Sequence, residues 1–142
     1  MSIELLSRTL HQLMQTYKAQ LQAEIKQQKI GLPVTLIRVL KSVRHIPECT
    51  AQCIAKRMSR DKAQITRALN QLLSSGLIDK KSNPNDRRSQ ILVPTPAGQD
   101  LLSQIDVIQH KVASQLTQNL TAQEVEQFLH LASSIINSVN ED

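Results

Sequence analysis

Apolar residues recur at every third or fourth position through most of the chain, which predicts amphipathic helices separated by short polar breaks. Gly31 and Pro33 interrupt the pattern after the first helix, and Gly76 interrupts it after the fourth. Thr95 followed by Pro96 is typical of a helix start. The predicted helices cover Ile3 to about Lys29, Val34 to Val43, Ala51 to Met58, Asp61 to Ser74, Pro96 to about Asn119, and a last segment that begins at a Thr121–Glu124 capping box.

The fourth predicted helix has two unlike faces. Ser59 or Asp61 is expected to cap it, as Thr50 is expected to cap the short helix before it, and two such helices joined by a tight turn form a helix-turn-helix. One face is an apolar stripe of Ile65, Leu69, Leu72 and Leu73. The other face has two arginines and three amides but no carboxylate, in the set Arg60, Ala63, Gln64, Arg67, Asn70, Gln71 and Ser74.

A β-hairpin is predicted directly after this helix. Leu77 to Lys81 reads as a strand, Asn83 to Asp86 has turn chemistry, and Ser89 to Val93 reads as the returning strand. Pro94 lacks a backbone N–H and is therefore expected to shorten that second strand. A helix-turn-helix followed by a hairpin with a basic tip predicts a winged helix.

Positive charge is concentrated in the middle of the chain. The 142 residues carry a net charge of +5, but residues 38–88 alone hold twelve lysines and arginines against four acids, which is +8. This distribution favours a polyanionic partner such as DNA. A solvated lysine-rich surface would give the same charges, but it would not explain the helix and hairpin pattern. The length fits a single domain, and the very low aromatic content favours packed helices.

Three motifs follow one another in a characteristic order and spacing. Gly76-Leu77-Ile78 precedes Asn83-Pro84-Asn85-Asp86-Arg87-Arg88, and Thr95-Pro96-Ala97-Gly98 follows. With the upstream segments 54–58 and 61–67, they resemble the MarR family of bacterial winged helix-turn-helix transcription regulators over roughly Leu32 to Gly98. The resemblance implies a mostly α fold with a small β-hairpin wing, flanked by long N- and C-terminal dimerisation helices.

Side-chain chemistry and the resemblance together define the candidate DNA-binding residues. Gln64 and Asn70 suit adenine and Arg67 suits guanine in the major groove, whereas Arg60 and Lys62 suit phosphates. The resemblance places Arg88 in the minor groove with Asp86 orienting it, Arg87 on a phosphate, and Lys80 and Lys81 where the family often has arginines. The full predicted set is Arg60, Lys62, Ala63, Gln64, Thr66, Arg67, Asn70, Lys80, Lys81, Asp86, Arg87 and Arg88.

The long terminal helices predict a homodimer. A first helix of some 25 residues is about 38 Å long, which is more than a small core covers, so a second subunit is expected to cover the rest. We predict one structural domain in which residues 1–30 and 99–142 form the dimerisation region and residues 31–98 bind a pseudo-palindromic operator. The resemblance implies a repressor released by a small-molecule effector or another signal, with His11 and Tyr17 as candidate ligand contacts.

Other functions are less well supported by the sequence. No catalytic motif, phosphate-binding loop or His–carboxylate metal motif indicates an enzyme or a cofactor. His45, Cys49 and Cys53 lie four apart, which would suit a metal on one continuous helix, but Pro47 argues against such a helix, so no metal site is predicted. The first alternative is an architectural or protein-interaction module without sequence readout. The second is a thiol-based redox sensor, because Cys49 lies near a helix start and basic residues that would lower its pKa. No membrane segment or signal peptide is predicted, so we expect a cytoplasmic protein with reduced cysteines.

Overall fold

The computed structural model describes residues 2–140. It divides into two compact units, one of residues 2–24 and 108–140 and the other of residues 25–107. The predicted mostly helical class with one hairpin is confirmed. The elements are α1 (Ile3–Gln27), α2 (Val34–His45), α3 (Ala51–Arg57), α4 (Lys62–Ser74), β1 (Ile78–Ser82), β2 (Gln90–Pro94), α5 (Pro96–Leu116) and α6 (Ala122–Asn140).

The unit of residues 25–107 has an aliphatic core to which each of its helices and both strands contribute. Val39, Ile54 and Leu72 are wholly buried there. Ile37, Leu40 and Val43 are buried as the α2 pattern predicts, but we did not predict that Val39 points inward as well. The inward stripe of α4 is Ile65, Ala68, Leu69 and Leu72, while Leu73 is only partly buried. This packing fixes which side of α4 faces solvent.

Helix ends confirm most of the predicted caps. The Thr50 hydroxyl accepts a hydrogen bond from the Cys53 amide at 3.3 Å, and Gly76 has the positive φ of 72° that a helix-terminating glycine adopts. The prediction for α4 was partly wrong. Asp61 occupies the N-cap position but makes no side-chain capping hydrogen bond, and Ser59 lies in the preceding turn with a φ of 51°.

The hairpin is antiparallel, with Ile78 opposite Pro94 and Lys80 opposite Leu92. Pro94 does not shorten the second strand, contrary to our expectation. Interstrand hydrogen bonds alternate along an antiparallel pair, and the Thr95 amide donates to the Leu77 carbonyl at 3.1 Å. The nitrogens of Pro94 and Leu92 therefore face away from β1. The N–H of Leu92 points away from β1 and donates to the Cys49 carbonyl at 2.8 Å. Pro94 has no N–H, but its position makes no hydrogen bond to β1 through nitrogen, so the strand continues through it.

The unit of residues 2–24 and 108–140 leaves much apolar surface open. Leu21 and Val112 are buried, and α1 also contacts α5 through a Gln20–Gln115 hydrogen bond of 2.8 Å and a Glu24–Lys111 ion pair of 3.1 Å. The capping box at the start of α6 forms as predicted. No residue of α6 is buried within the described chain. The exposed apolar side chains are Ile3, Leu5, Leu6, Leu10, Leu13, Met14, Tyr17, Leu116, Leu120, Phe128, Leu129, Leu131, Ile135, Ile136 and Val139.

Candidate nucleic-acid interface

Core packing leaves the polar side of α4 in solvent. Because Ile65 and Leu72 point inward, Gln64, Arg67 and Asn70 are exposed. All twelve predicted DNA-binding residues, including those on the hairpin, are exposed to solvent. The first turn of α4 has no side-chain cap, so its backbone N–H groups remain available to a phosphate oxygen.

A groove of about 700 Å³ separates α4 from the hairpin. It brings together seven of the predicted residues, namely Lys62, Thr66, Asn70, Lys80, Asp86, Arg87 and Arg88. The remaining five, Arg60, Ala63, Gln64, Arg67 and Lys81, do not line it. Successive strand residues point to opposite faces, so Lys81 projects away from the face on which Lys80 lies. The groove therefore has four cations and one carboxylate along its walls.

Side-chain hydrogen bonds shape the tip of the wing. The side-chain Oδ1 of Asn83 accepts a hydrogen bond from the backbone N–H of Asn85 at 3.0 Å, and the side-chain NH₂ group of Asn83 donates to the Ser89 hydroxyl at 3.0 Å. The Asp86 carboxylate accepts from the backbone amide of Arg88 at 2.9 Å. Asp86 therefore orients the main chain at Arg88. The sequence-based expectation was a role in orienting Arg88, and the contact in the structure is to its peptide N–H.

Besides the apolar Leu69, Leu73 and Leu92, five further residues that we did not predict line the groove, namely Thr50, Ala51, Gln52, Ser89 and Gln90. The first three form the start of α3, and the last two lie at the start of the returning strand. The Thr50 cap was recognised from the sequence and could have pointed to Gln52, because it places that side chain in the first exposed turn of α3. The hydrogen bond from Leu92 to Cys49, which joins the wing to the start of α3, has no sequence signal.

The junction between the wing and α5 explains the motif Thr95-Pro96-Ala97-Gly98. The Thr95 hydroxyl donates to the Gly76 carbonyl at 2.6 Å and accepts from the Gly98 amide at 3.1 Å. A Cβ at Gly98 would overlap the Leu77 carbonyl oxygen. The end of α4, the hairpin and the start of α5 therefore meet at one tightly packed point, which sets the position of the wing.

An ion pair fastens α2 to α5 within the same unit. Both terminal nitrogens of Arg44 donate to the Asp106 carboxylate, each at 2.9 Å. This hydrogen bonding lowers the pKa of Asp106 and raises the pKa of Arg44. Nearby, burial lowers the pKa of Lys41. Asp106 is exposed at the edge of the buried stripe of α5, one turn after Leu102, so the ion pair adds to apolar packing and does not replace it.

Cys49 does not have the lowered pKa that the redox-sensor alternative requires. Burial is the main cause that raises its pKa to about 11, with a smaller contribution from Cys53. Its side chain is almost fully buried, whereas Cys53 is exposed and accepts a hydrogen bond from the Thr50 hydroxyl at 3.1 Å. Proximity to basic residues in the sequence was a misleading signal, because burial disfavours the charged thiolate.

The other candidate sites are less developed. His11 and Tyr17 are exposed on α1 and do not line the groove between α4 and the hairpin. Within residues 2–140, no group of three or more His, Cys, Asp or Glu side chains is placed to hold a metal ion. In the same range, no helix is long and apolar enough to cross a membrane.

Similarity to known proteins decides the family. Residues 32–90 match the model of the MarR family. The multiple antibiotic resistance protein MarR of Salmonella typhimurium is 32% identical over 108 residues, which is 75% of each chain. The chain belongs to the MarR family. The MarR family match spans α2 to the first residue of β2, which are the elements that form the groove.

Solved MarR-family structures agree with this assignment. A mutant MarR from E. coli, solved in complex with operator DNA, superposes with a TM-score of 0.78 at 27% identity and covers 92% of each chain. A probable transcriptional regulator from Pseudomonas aeruginosa has a TM-score of 0.75 at 24% identity, covering 92% of this chain and 96% of its own, and shows the shared fold.

Proposed function

We propose that this protein is a sequence-specific DNA-binding transcription regulator that acts as a homodimeric repressor. The observation that carries the proposal is the exposed face of α4, with Gln64, Arg67 and Asn70, beside a basic groove and wing in a chain of the MarR family. The E. coli relative in complex with operator DNA supports a DNA ligand. We place the activity in the cytoplasm, and nothing in the groove suggests an enzyme.

Two parts of the unit contact DNA in different ways. The exposed face of α4 enters the major groove, where Asn70 and Gln64 bind adenine edges and Arg67 binds a guanine edge. The wing reaches the minor groove, where Arg88 meets the enhanced negative potential of narrow A·T-rich sequence. The hydrogen bonds within the wing tip reduce the entropy that ordering Arg88 would otherwise cost.

Phosphate contacts come from the groove walls and the first turn of α4. Lys62, Lys80 and Arg87 carry no base information in this arrangement, but they fix the register of α4 on the duplex. Each phosphate that they neutralise releases counterions, so affinity falls steeply as salt rises. Lys80 has a single charged end without the paired donors of arginine, and it therefore acts through charge more than through geometry.

A homodimer covers the exposed apolar surface of α1 and α6. A two-fold dimer places two recognition helices about 34 Å apart, on successive turns of a pseudo-palindromic operator. We expect Ile136→Glu, at a side chain 56% exposed in the single chain, to shift the protein to monomer in sedimentation velocity. Val107→Glu is the matched control, because Val107 is an exposed apolar residue of the other unit. A dimer that survives Ile136→Glu unchanged would contradict this interface.

Release from DNA is proposed to follow binding of a small ligand or another signal. His11 and Tyr17 are the candidate ligand contacts, because they place polar and aromatic groups among the exposed apolar residues of α1. Ligands tested against the protein–DNA complex should include small aromatic and phenolic molecules, the class that the MarR resemblance implies. Loss of release in Tyr17→Phe and His11→Ala, with DNA affinity unchanged, would support these contacts, and full release in both variants would exclude them.

Selection of bound duplexes from a random pool at near-physiological salt tests the function itself. We expect a two-fold symmetric motif whose half-sites lie about ten base pairs apart. Binding without an enriched motif, lost on addition of salt, would instead identify an architectural module that holds DNA through charge alone.

A further inference from the structure

The hydroxyl of Thr66 is already used within the protein. It donates a hydrogen bond to the Lys62 carbonyl, one turn earlier in α4, at 2.9 Å. A threonine hydroxyl has a single proton to donate. Thr66 therefore has no donor left for the acceptors on guanine or adenine, although its side chain is exposed and lines the groove between α4 and the wing.

This hydrogen bond also fixes the direction of the Thr66 methyl group. Oxygen and methyl share one Cβ, so a bond that holds the oxygen against the preceding turn sets χ1 and with it the methyl position. What Thr66 offers to a ligand in the groove is a methyl group and oxygen lone pairs. Because the rotamer is set before DNA binds, the contact costs little side-chain entropy.

The neighbouring residues of α4 extend this apolar spot. Ala63 and Asn70 lie three residues before and four residues after Thr66, so all three belong to one side of the helix. Ala63 is exposed and contributes a second methyl group. The face proposed to enter the major groove therefore has a small uncharged apolar area, formed by Ala63 and Thr66, beside the Asn70 amide.

Only one base offers a matching group in the major groove. Thymine carries a C5 methyl there, and alanine or threonine methyl groups are its usual apolar contacts. We propose that Thr66 is a specificity-determining residue that recognises a thymine through its methyl group, with Ala63 beside it. This inference rests on the proposed function, because it assigns one base contact within the major-groove readout.

The test removes the methyl group from the thymine or from Thr66, and separately removes the hydroxyl from Thr66. Each thymine of a duplex selected from the random pool is replaced in turn by deoxyuridine, symmetrically in both half-sites, so that only the C5 methyl is lost. Affinities are measured for the wild type, Thr66→Ser, which keeps the hydroxyl, and Thr66→Val, which keeps the methyl. Thr16→Ser is the matched control, because Thr16 is exposed and makes the same hydrogen bond, to Gln12 at 2.8 Å, in α1.

We expect one thymine position at which deoxyuridine weakens the wild type by about fourfold per half-site, as the loss of one buried methyl group predicts. Thr66→Val and Thr16→Ser should keep that sensitivity, and Thr66→Ser should lose it. The inference is overturned if Thr66→Ser remains as sensitive as the wild type at every position, or if the wild type shows no sensitive thymine. A pool that yields no enriched motif would overturn the proposed function and this inference together.

Discussion

Replacing Gly98 by alanine tests the junction on which the position of the wing depends. An added Cβ would overlap the Leu77 carbonyl oxygen and lie 3.1 Å from its carbon and 3.5 Å from the Pro94 Cβ. The obstacle is mostly backbone, which cannot rotate away as a side chain would. The Leu77 carbonyl also accepts the Thr95 amide at 3.1 Å, so moving it weakens that hydrogen bond as well.

The expected change is a net loss of stability. Overpacking in a tight site costs about 1–3 kcal/mol, and a weakened hydrogen bond costs about 1 kcal/mol more. Alanine gains at most about 1 kcal/mol in helix propensity over glycine. We therefore expect Gly98→Ala to lower the free energy of unfolding by about 1–3 kcal/mol. The displaced wing should also weaken DNA binding in the folded variant.

The two other glycines supply controls in the same assay. Urea unfolding should be followed at one protein concentration, because a dimer gains stability with concentration. Gly31→Ala meets no atom within 4 Å and has no positive φ, so it should be neutral or slightly stabilising. Gly76→Ala also has open space, but its φ of +72° should cost about 1 kcal/mol. A Gly98→Ala protein as stable as the wild type, with normal DNA affinity, would refute the close approach.

Three further predictions concern the ion pair, the cysteines and the wing tip. Asp106→Asn should reduce stability by roughly 0.2–1 kcal/mol near neutral pH. Because folding lowers the pKa of Asp106, the difference should begin to shrink below the unfolded value of about 3.9 and vanish as the pH falls through the lower pKa of the folded protein; a pH-independent difference would argue against the Arg44 contact. At pH 8, alkylation followed by mass spectrometry should label Cys53 in the folded protein and Cys49 only after unfolding; labelling of both at equal rates would contradict the burial of Cys49. Asn83→Ala removes two hydrogen bonds of the wing tip and should weaken DNA binding with little change in the α-helical circular dichroism; unchanged affinity would mean that the tip needs no such ordering.

Local signals made most of the fold predictable. The cap at Thr50, the stop at Gly76 and the capping box at Thr121 each depend on residues within a few positions of one another, and each forms in the structure. The exposed face of α4 was predictable for a similar reason, because helical periodicity alone separates Ile65 and Leu72 from the polar side.

Features that depend on distant residues were not predictable. The raised pKa of Cys49 comes mainly from its burial in a core built by segments far along the chain, which the basic residues near it in sequence did not indicate. Pro94 is tolerated in β2 because its nitrogen faces away from β1, and this direction follows from the register of the hairpin. The exposure of Gln52 could be inferred from the Thr50 cap, but its place in the groove depends on the hydrogen bond from Leu92 to Cys49 that joins the wing to the start of α3. The ligand contacts proposed for His11 and Tyr17 stay predictions.

The central claim is that α4 reads bases, while cations such as Lys80 hold the DNA backbone without reading sequence. The most direct test repeats the pool selection with Arg67→Ala and Lys80→Ala beside the wild type. Arg67→Ala should lose preference at one position of each half-site, at a cost of about 1–3 kcal/mol, whereas Lys80→Ala should keep the same motif and bind every duplex more weakly. Equal losses on all duplexes for both variants would contradict base reading by α4.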